Sequence, residues 1–234
     1  MRLLVVGIVC LLLSACETPP DSSRISRIGL LSNLSEKAKK TYMGVTVFEN
    51  EFNETAIDWS FQELVIREFE EQITAGGREA VDLSALPAAG TRRGDLFELG
   101  YSLKFGLSDT QFSSDAAALL TEAMTDEKLD AIIVLHPAEV NIDTGYGEPS
   151  PQGGFGVFRR GGALVRDRAY TYVQYEARIV TGSPPELDFI AYGTNMREQP
   201  FAGDATDPSH PAFRGAMEEQ VAESVKQVLT QLRM

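Results

Sequence analysis

The sequence predicts an α/β (α+β) fold: a mixed, mainly antiparallel sheet with about three helices packed on it. Three observations carry this expectation. Two segments, Ser60 to Ala75 and Ala212 to Leu232, space their apolar residues as one face of a helix. Ala131 to Leu135 is a continuous apolar run of strand length, as expected of a strand covered on both faces. Ala163 to Thr181 alternates instead, as a strand with one wetter face does.

The chain opens differently. Arg2 precedes an apolar run, Leu3 to Leu13, which ends in Leu13-Ser14-Ala15-Cys16. A bilayer-spanning helix needs roughly 20 apolar residues, and Glu17 and Pro19 come too soon. A charged n-region, a short apolar h-region and small residues at the end are the marks of a secretory signal. The four-residue motif resembles the lipobox of bacterial lipoproteins. That resemblance implies a signal peptide over residues 1–15, cleavage before Cys16, and palmitate or similar acyl chains on Cys16. A single acyl chain, at about 0.8 kcal/mol per buried CH₂, holds a protein only marginally. The resemblance implies more than one chain and a lasting hold on the membrane. Glu17 follows in place of the aspartate linked to inner-membrane retention, which leans toward the outer membrane facing the periplasm. Residues 16–24 then read as a lipidated tether, polar and containing Pro19 and Pro20. Residues 25–234 read as one α/β domain.

Composition limits what that domain does. Hydrophobic content of 43% and charged content of 24% suit a globular body of this length. The formal charge of −13 opposes phosphate backbones and anionic headgroups, so no nucleic-acid partner is expected. Cys10 falls in the h-region and Cys16 at the lipobox, so the domain has no cysteine for a disulfide, a thiolate nucleophile or a zinc ligand.

Taken in order, Ile25 to Leu31 reads as a strand, Ser35 to Lys40 as a charged turn, and Tyr42 to Phe48 as a second strand. The first and second strands are expected to form a β-hairpin. Ser60 and Glu63 match a capping box at the start of the first helix, and Phe61, Val65, Phe69 and Ile73 make its apolar face. Gly76-Gly77 ends it. Glu79 to Leu83 is a short strand; Pro87 to Thr110 is irregular; Asp115 to Thr125 is an alanine-rich helix. Asn141 to Gly154 is a loop. Phe155 to Arg159 and Ala163 to Thr181 are strands joined by a turn at Arg159-Arg160-Gly161-Gly162, and Leu187 to Tyr192 is a further strand. Pro211 suits a first helical turn, and Phe213, Met217, Val221, Val225, Val228 and Leu232 form the stripe of the last helix.

No catalytic constellation is recognisable. His136 ends the central apolar strand, a place where α/β folds set site residues, but a lone histidine there more often serves structure. His210, between Ser209 and Pro211, reads as a helix cap. There is no Gly-x-Ser-x-Gly, and the glycines at 153–156 and 161–162 lack the lysine and following helix of a phosphate loop. The Glu68, Glu70, Glu71 cluster reads as a solvated helix face. No cofactor or metal is expected. The candidate partner-binding surface is the late hairpin, with Tyr146, Phe155 and Phe158 as aromatic anchors and Arg159 and Arg160 as local positive charge on an acidic protein.

The order of elements across the mature domain resembles that of envelope lipoproteins: the curli-secretion lipoprotein, the penicillin-binding-protein activator lipoprotein and the amino-terminal domain of TolB. The resemblance implies a non-enzymatic adaptor or assembly factor with an envelope protein as partner. The alternative is a lipid-anchored hydrolase using His136 with carboxylates that the sequence does not reveal.

Overall fold

The fold is described from a computed structural model over residues 22–44, 50–85, 114–138, 153–162, 165–200 and 202–234. Cys16 and Tyr146 lie outside these residues, as does the irregular stretch from Pro87 to Thr110. The described strands are β1 (Arg27–Ser32), β2 (Lys37–Met43), β3 (Glu51–Ala56), β4 (Glu79–Asp82), β5 (Ala131–Pro137), β6 (Gly154–Gly162), β7 (Val165–Thr181) and β8 (Glu186–Gln199). The helices are α1 (Phe61–Ala75), α2 (Ser114–Asp126) and α3 (Pro211–Gln231). The strands form one mixed sheet, and its longest ladders, β7 with β8 and β6 with β7, are antiparallel, as the sequence predicts.

The sheet is organised by β7. One edge of β7 pairs with β8 from Ala169 to Thr181. The other edge is shared end to end: Thr181 to Tyr175 pair with β5, and Gln174 to Val165 pair with β6. β1 lies parallel to β5, and β2 lies parallel to β6. β4 then flanks β1, and β3 flanks β2. The sheet therefore splits into two limbs, β5-β1-β4 and β6-β2-β3, both rooted on one strand.

This arrangement corrects the expected hairpin. The strand that follows β1 begins at Lys37, inside the expected turn, and residues 45–49 of the expected second strand lie outside the described residues. β1 and β2 do not pair; they occupy the same tier of the two limbs, each beside half of the β5–β6 tier. The late hairpin does form, but Arg159 to Gly162 belong to β6, and β6 and β7 pair from Gly154 with Gln174 to Gly162 with Val165. β3 was not apparent in the sequence, because Glu-Phe-Asn-Glu-Thr-Ala has little apolar content to mark it.

The junction of the limbs explains two glycines. A Cβ at Gly153 would lie 2.0 Å from the Ala138 carbonyl oxygen, where β5 ends against the start of β6. A Cβ at Gly156 would lie 1.9 Å from the Lys39 carbonyl oxygen, and its φ of +156° is itself unfavourable for an L side chain. Lys39 Nζ also donates to the Gly153 carbonyl at 2.7 Å, tying β2 to this junction.

Helices cover the two faces unequally. α1 and α3 pack together over one face, and the main core contains Ile28 and Leu30 of β1, Ile133 and Leu135 of β5, and Val173, Tyr175, Ala177 and Ile179 of β7. Thr171, Val173, Tyr175, Ala177 and Ile179, one face of the β7 alternation, are thus fully buried. On the expected wetter face, Glu176 and Arg178 are partly exposed, but Tyr172 and Gln174 are buried. Leu120 on α2 joins Leu31, Leu83, Leu129, Ile132 and Val180 on that second face.

α1 begins as predicted: the Ser60 hydroxyl accepts from the Glu63 N–H at 3.0 Å. Its side chain and the Phe61 amide also bond the Glu36 carboxylate, at 2.9 Å each, which fixes the helix start to the β1–β2 connection. Among the described residues, no helix is long and apolar enough to cross a membrane.

Two glycine substitutions separate these effects. Gly156→Ala is expected to cost more than about 3 kcal/mol, through a backbone clash that no rotamer relieves. Gly215 lies exposed in α3 with nothing within 4 Å of its would-be Cβ, so Gly215→Ala is expected to stabilise by about 0.5–1 kcal/mol. Urea unfolding of both variants checks the pair.

Candidate binding groove

Of the partner-binding residues read from the sequence, the four that are described, Phe155, Phe158, Arg159 and Arg160, do not form one surface. Phe155 is 0% exposed and Phe158 is 3% exposed, which makes both of them core. Phe155 stacks on Phe61 with centroids 3.9 Å apart, in an aromatic group completed by Trp59 and Phe213. Phe158 packs on the opposite face with Met43 and Tyr172. As aromatic anchors for a partner, these two positions are corrected. Their glycine neighbours serve close backbone contact and do not mark an exposed flexible loop. Arg159 and Arg160, being adjacent on a strand, project to opposite faces.

Arg159 leads to the candidate site. It lines a groove of about 480 Å³ with Lys40, Thr41 and Tyr42 of β2, Glu51 and Asn53 of β3, Val157, Thr206 and Asp207. The groove follows from strand register. Lys40 opposes Asn53 and Val157, and Tyr42 opposes Glu51 and Arg159, so these side chains share one face of the second limb. The segment before α3 closes one side. Arg159 Nη2 donates to the Thr206 hydroxyl at 2.8 Å and to its carbonyl at 3.3 Å, which joins β6 to that segment. Asp207 accepts from the Ser209 amide at 3.1 Å and hydroxyl at 2.8 Å. These bonds, with smaller contributions from Lys40 and His210, hold its carboxyl below the usual range. The lining offers ammonium, guanidinium, phenol and amide donors beside two carboxylates, and so suits a polar ligand bearing charges of both signs.

The histidines are elsewhere. His210 caps α3, accepting from the Ala212 N–H at 3.2 Å, as the sequence predicts. His136 is 5% exposed on the second face of the sheet, opposite Glu176 in the β5–β7 register. The Glu176 carboxylate is already held by Arg178, whose Nη2 lies 2.5 Å away. Burial, aided by Arg178, lowers the His136 pKa to about 4. A general base must reach its substrate, and this packed imidazole does not offer that reach. Among the described residues no group of histidine, cysteine and carboxylates could hold a metal ion.

The sequence matches no family model, and it matches no curated protein. Among solved structures, it is similar to a crystal structure of a Xanthomonas campestris protein assigned to the DUF330 family. That similarity covers 92% of this chain and 90% of the other, at 9% identity and a TM-score of 0.33.

The buried imidazole has a measurable consequence. With a folded pKa of about 4 against an ordinary 6.5, the unfolded chain binds the extra proton between these values. His136 is therefore expected to remove stability as pH falls from 6.5 to 4, by roughly 2–3 kcal/mol. Asp130 and Asp207, both lowered from 3.8, act in a separate and more acidic window. Chemical denaturation across this range should show a shallower pH slope in His136→Asn than in the parent, whatever the variant's absolute stability.

Proposed function

We propose that this protein is a lipid-anchored envelope adaptor, held at the membrane through Cys16, that binds an envelope protein through the groove on its second limb. The observation that carries this reading is the lipobox Leu13-Ser14-Ala15-Cys16 preceding a fold whose groove lies far from where the tether joins it. The Ser22 hydroxyl donates to the Arg233 carbonyl at 2.5 Å, and Arg78 Nε donates to the Ile25 carbonyl at 3.1 Å, so the chain enters the fold beside the end of α3. The groove lies beside the start of α3, at Thr206 and Asp207. The 21 residues of α3 span about 31 Å at 1.5 Å per residue. The point where the chain enters the fold and the groove therefore lie at opposite ends of α3.

Two measurements test the proposal. Cys16→Ser is expected to abolish palmitate incorporation and to release the protein from salt-washed membranes; a parent protein that takes up no palmitate removes the anchor from the account. A photo-crosslinking residue at Tyr42 is expected to capture an envelope protein in intact cells, whereas the same residue at exposed Lys226 does not. Identical capture from both sites, or none from Tyr42, counts against the groove.

A further inference from the structure

The sheet treats its edges differently. The free edge of β8 is covered by α3: the Tyr192 amide donates to Gln231 Oε1 at 3.0 Å, and Gln231 Nε2 donates back to the Tyr192 carbonyl at 2.9 Å. The Thr194 amide donates to Gln227 Oε1 at 3.2 Å. These amide side chains occupy the positions that an added strand would take. β4 has four residues, too short to template a long pairing. β3 has neither protection. Among the described residues it pairs only with β2, five of its six residues are exposed, and it carries no proline. Phe52, on that strand, is 70% exposed. Proteins ordinarily cover or blunt such an edge, and on β3 the charges of Glu51 and Glu54 are what discourage indiscriminate pairing.

We propose that the outer edge of β3 accepts an extended segment of a partner protein that carries lysine or arginine, adding a ninth strand to the sheet; this rests on the adaptor reading above and specifies its contact. The free edge dictates backbone pairing, since it offers a row of amide and carbonyl groups that only another strand matches in spacing. Charge chooses the occupant. Glu51 and Glu54 lie on opposite faces of β3, so a basic residue on either face of the incoming strand meets a carboxylate. The chain's net charge of −13 disfavours an acidic segment and a second copy alike. Phe52 provides apolar contact for one side chain of the added strand.

The test uses the mature lipoprotein in detergent and two synthetic octapeptides, one alternating lysine with valine and the other alternating glutamate with valine. With the basic peptide, hydrogen exchange of amides in residues 51–56 is expected to slow by at least about fivefold, and the acidic peptide should leave them unchanged. Glu51→Lys/Glu54→Lys is expected to reverse this preference. A variant that merely unfolds cannot produce such a reversal, and the Lys37–Glu54 pair it breaks is exposed and 3.7 Å long. No protection of 51–56 by the basic peptide, equal protection by both peptides, or an unreversed preference in the double variant overturns the proposal. Loss of crosslinking from Tyr42 in cells would instead remove the adaptor reading, because the peptide measurement is made on purified protein.

Discussion

The fold depends on the continuous hydrogen-bonding edge of β7. Typical strands run about 5–6 residues, whereas β7 has 17. That length lets one strand hold β5 and β6 end to end on one side and β8 along the other. Both limbs inherit their position from it, and so does the groove, whose walls are set by the registers of β2 with β3 and with β6. Where the two limbs meet, backbone approaches backbone so closely that Gly153 and Gly156 admit no side chain. The buried Tyr175 anchors the middle of this strand, its hydroxyl 3.0 Å from that of Ser224 on α3.

Much of this was legible in the sequence. α1 and α3 followed from apolar spacing because each lays one face on the sheet, and both caps followed from side chains that bond nearby amides. β5 followed from its uninterrupted apolarity, since helices cover both of its faces. Other features depended on contacts distant along the chain. The separation of β1 and β2 into different limbs is set by β5 and β6, more than 85 residues away, and no local pattern encodes it. Phe155 and Phe158 looked like surface anchors because glycines flank them, whereas the glycines answer to Lys39 and Ala138 across the sheet. The groove combines β2, β3, β6 and the segment before α3. Of its lining, only Arg159 stands out in the sequence, as local positive charge on an acidic chain.

Polar side chains settle the periphery of the sheet. Gln227 and Gln231 replace a neighbouring strand along β8, and Arg197 bonds both Glu219 and Glu223 of α3 there. Exposed ion pairs of this kind stabilise weakly. Their effect here is geometrical, because they hold α3 over the rim of the sheet along β8.

The contact between Ser22 and Arg233 sets how the body responds to tension. A force transmitted through an anchor would reach β1 first, and β1 lies between β4 and β5, parallel to each. Traction along that direction stretches both ladders together, in shear, instead of unzipping them one bond at a time. Strain applied at the start of β1 is therefore shared between two neighbours from its first hydrogen bond.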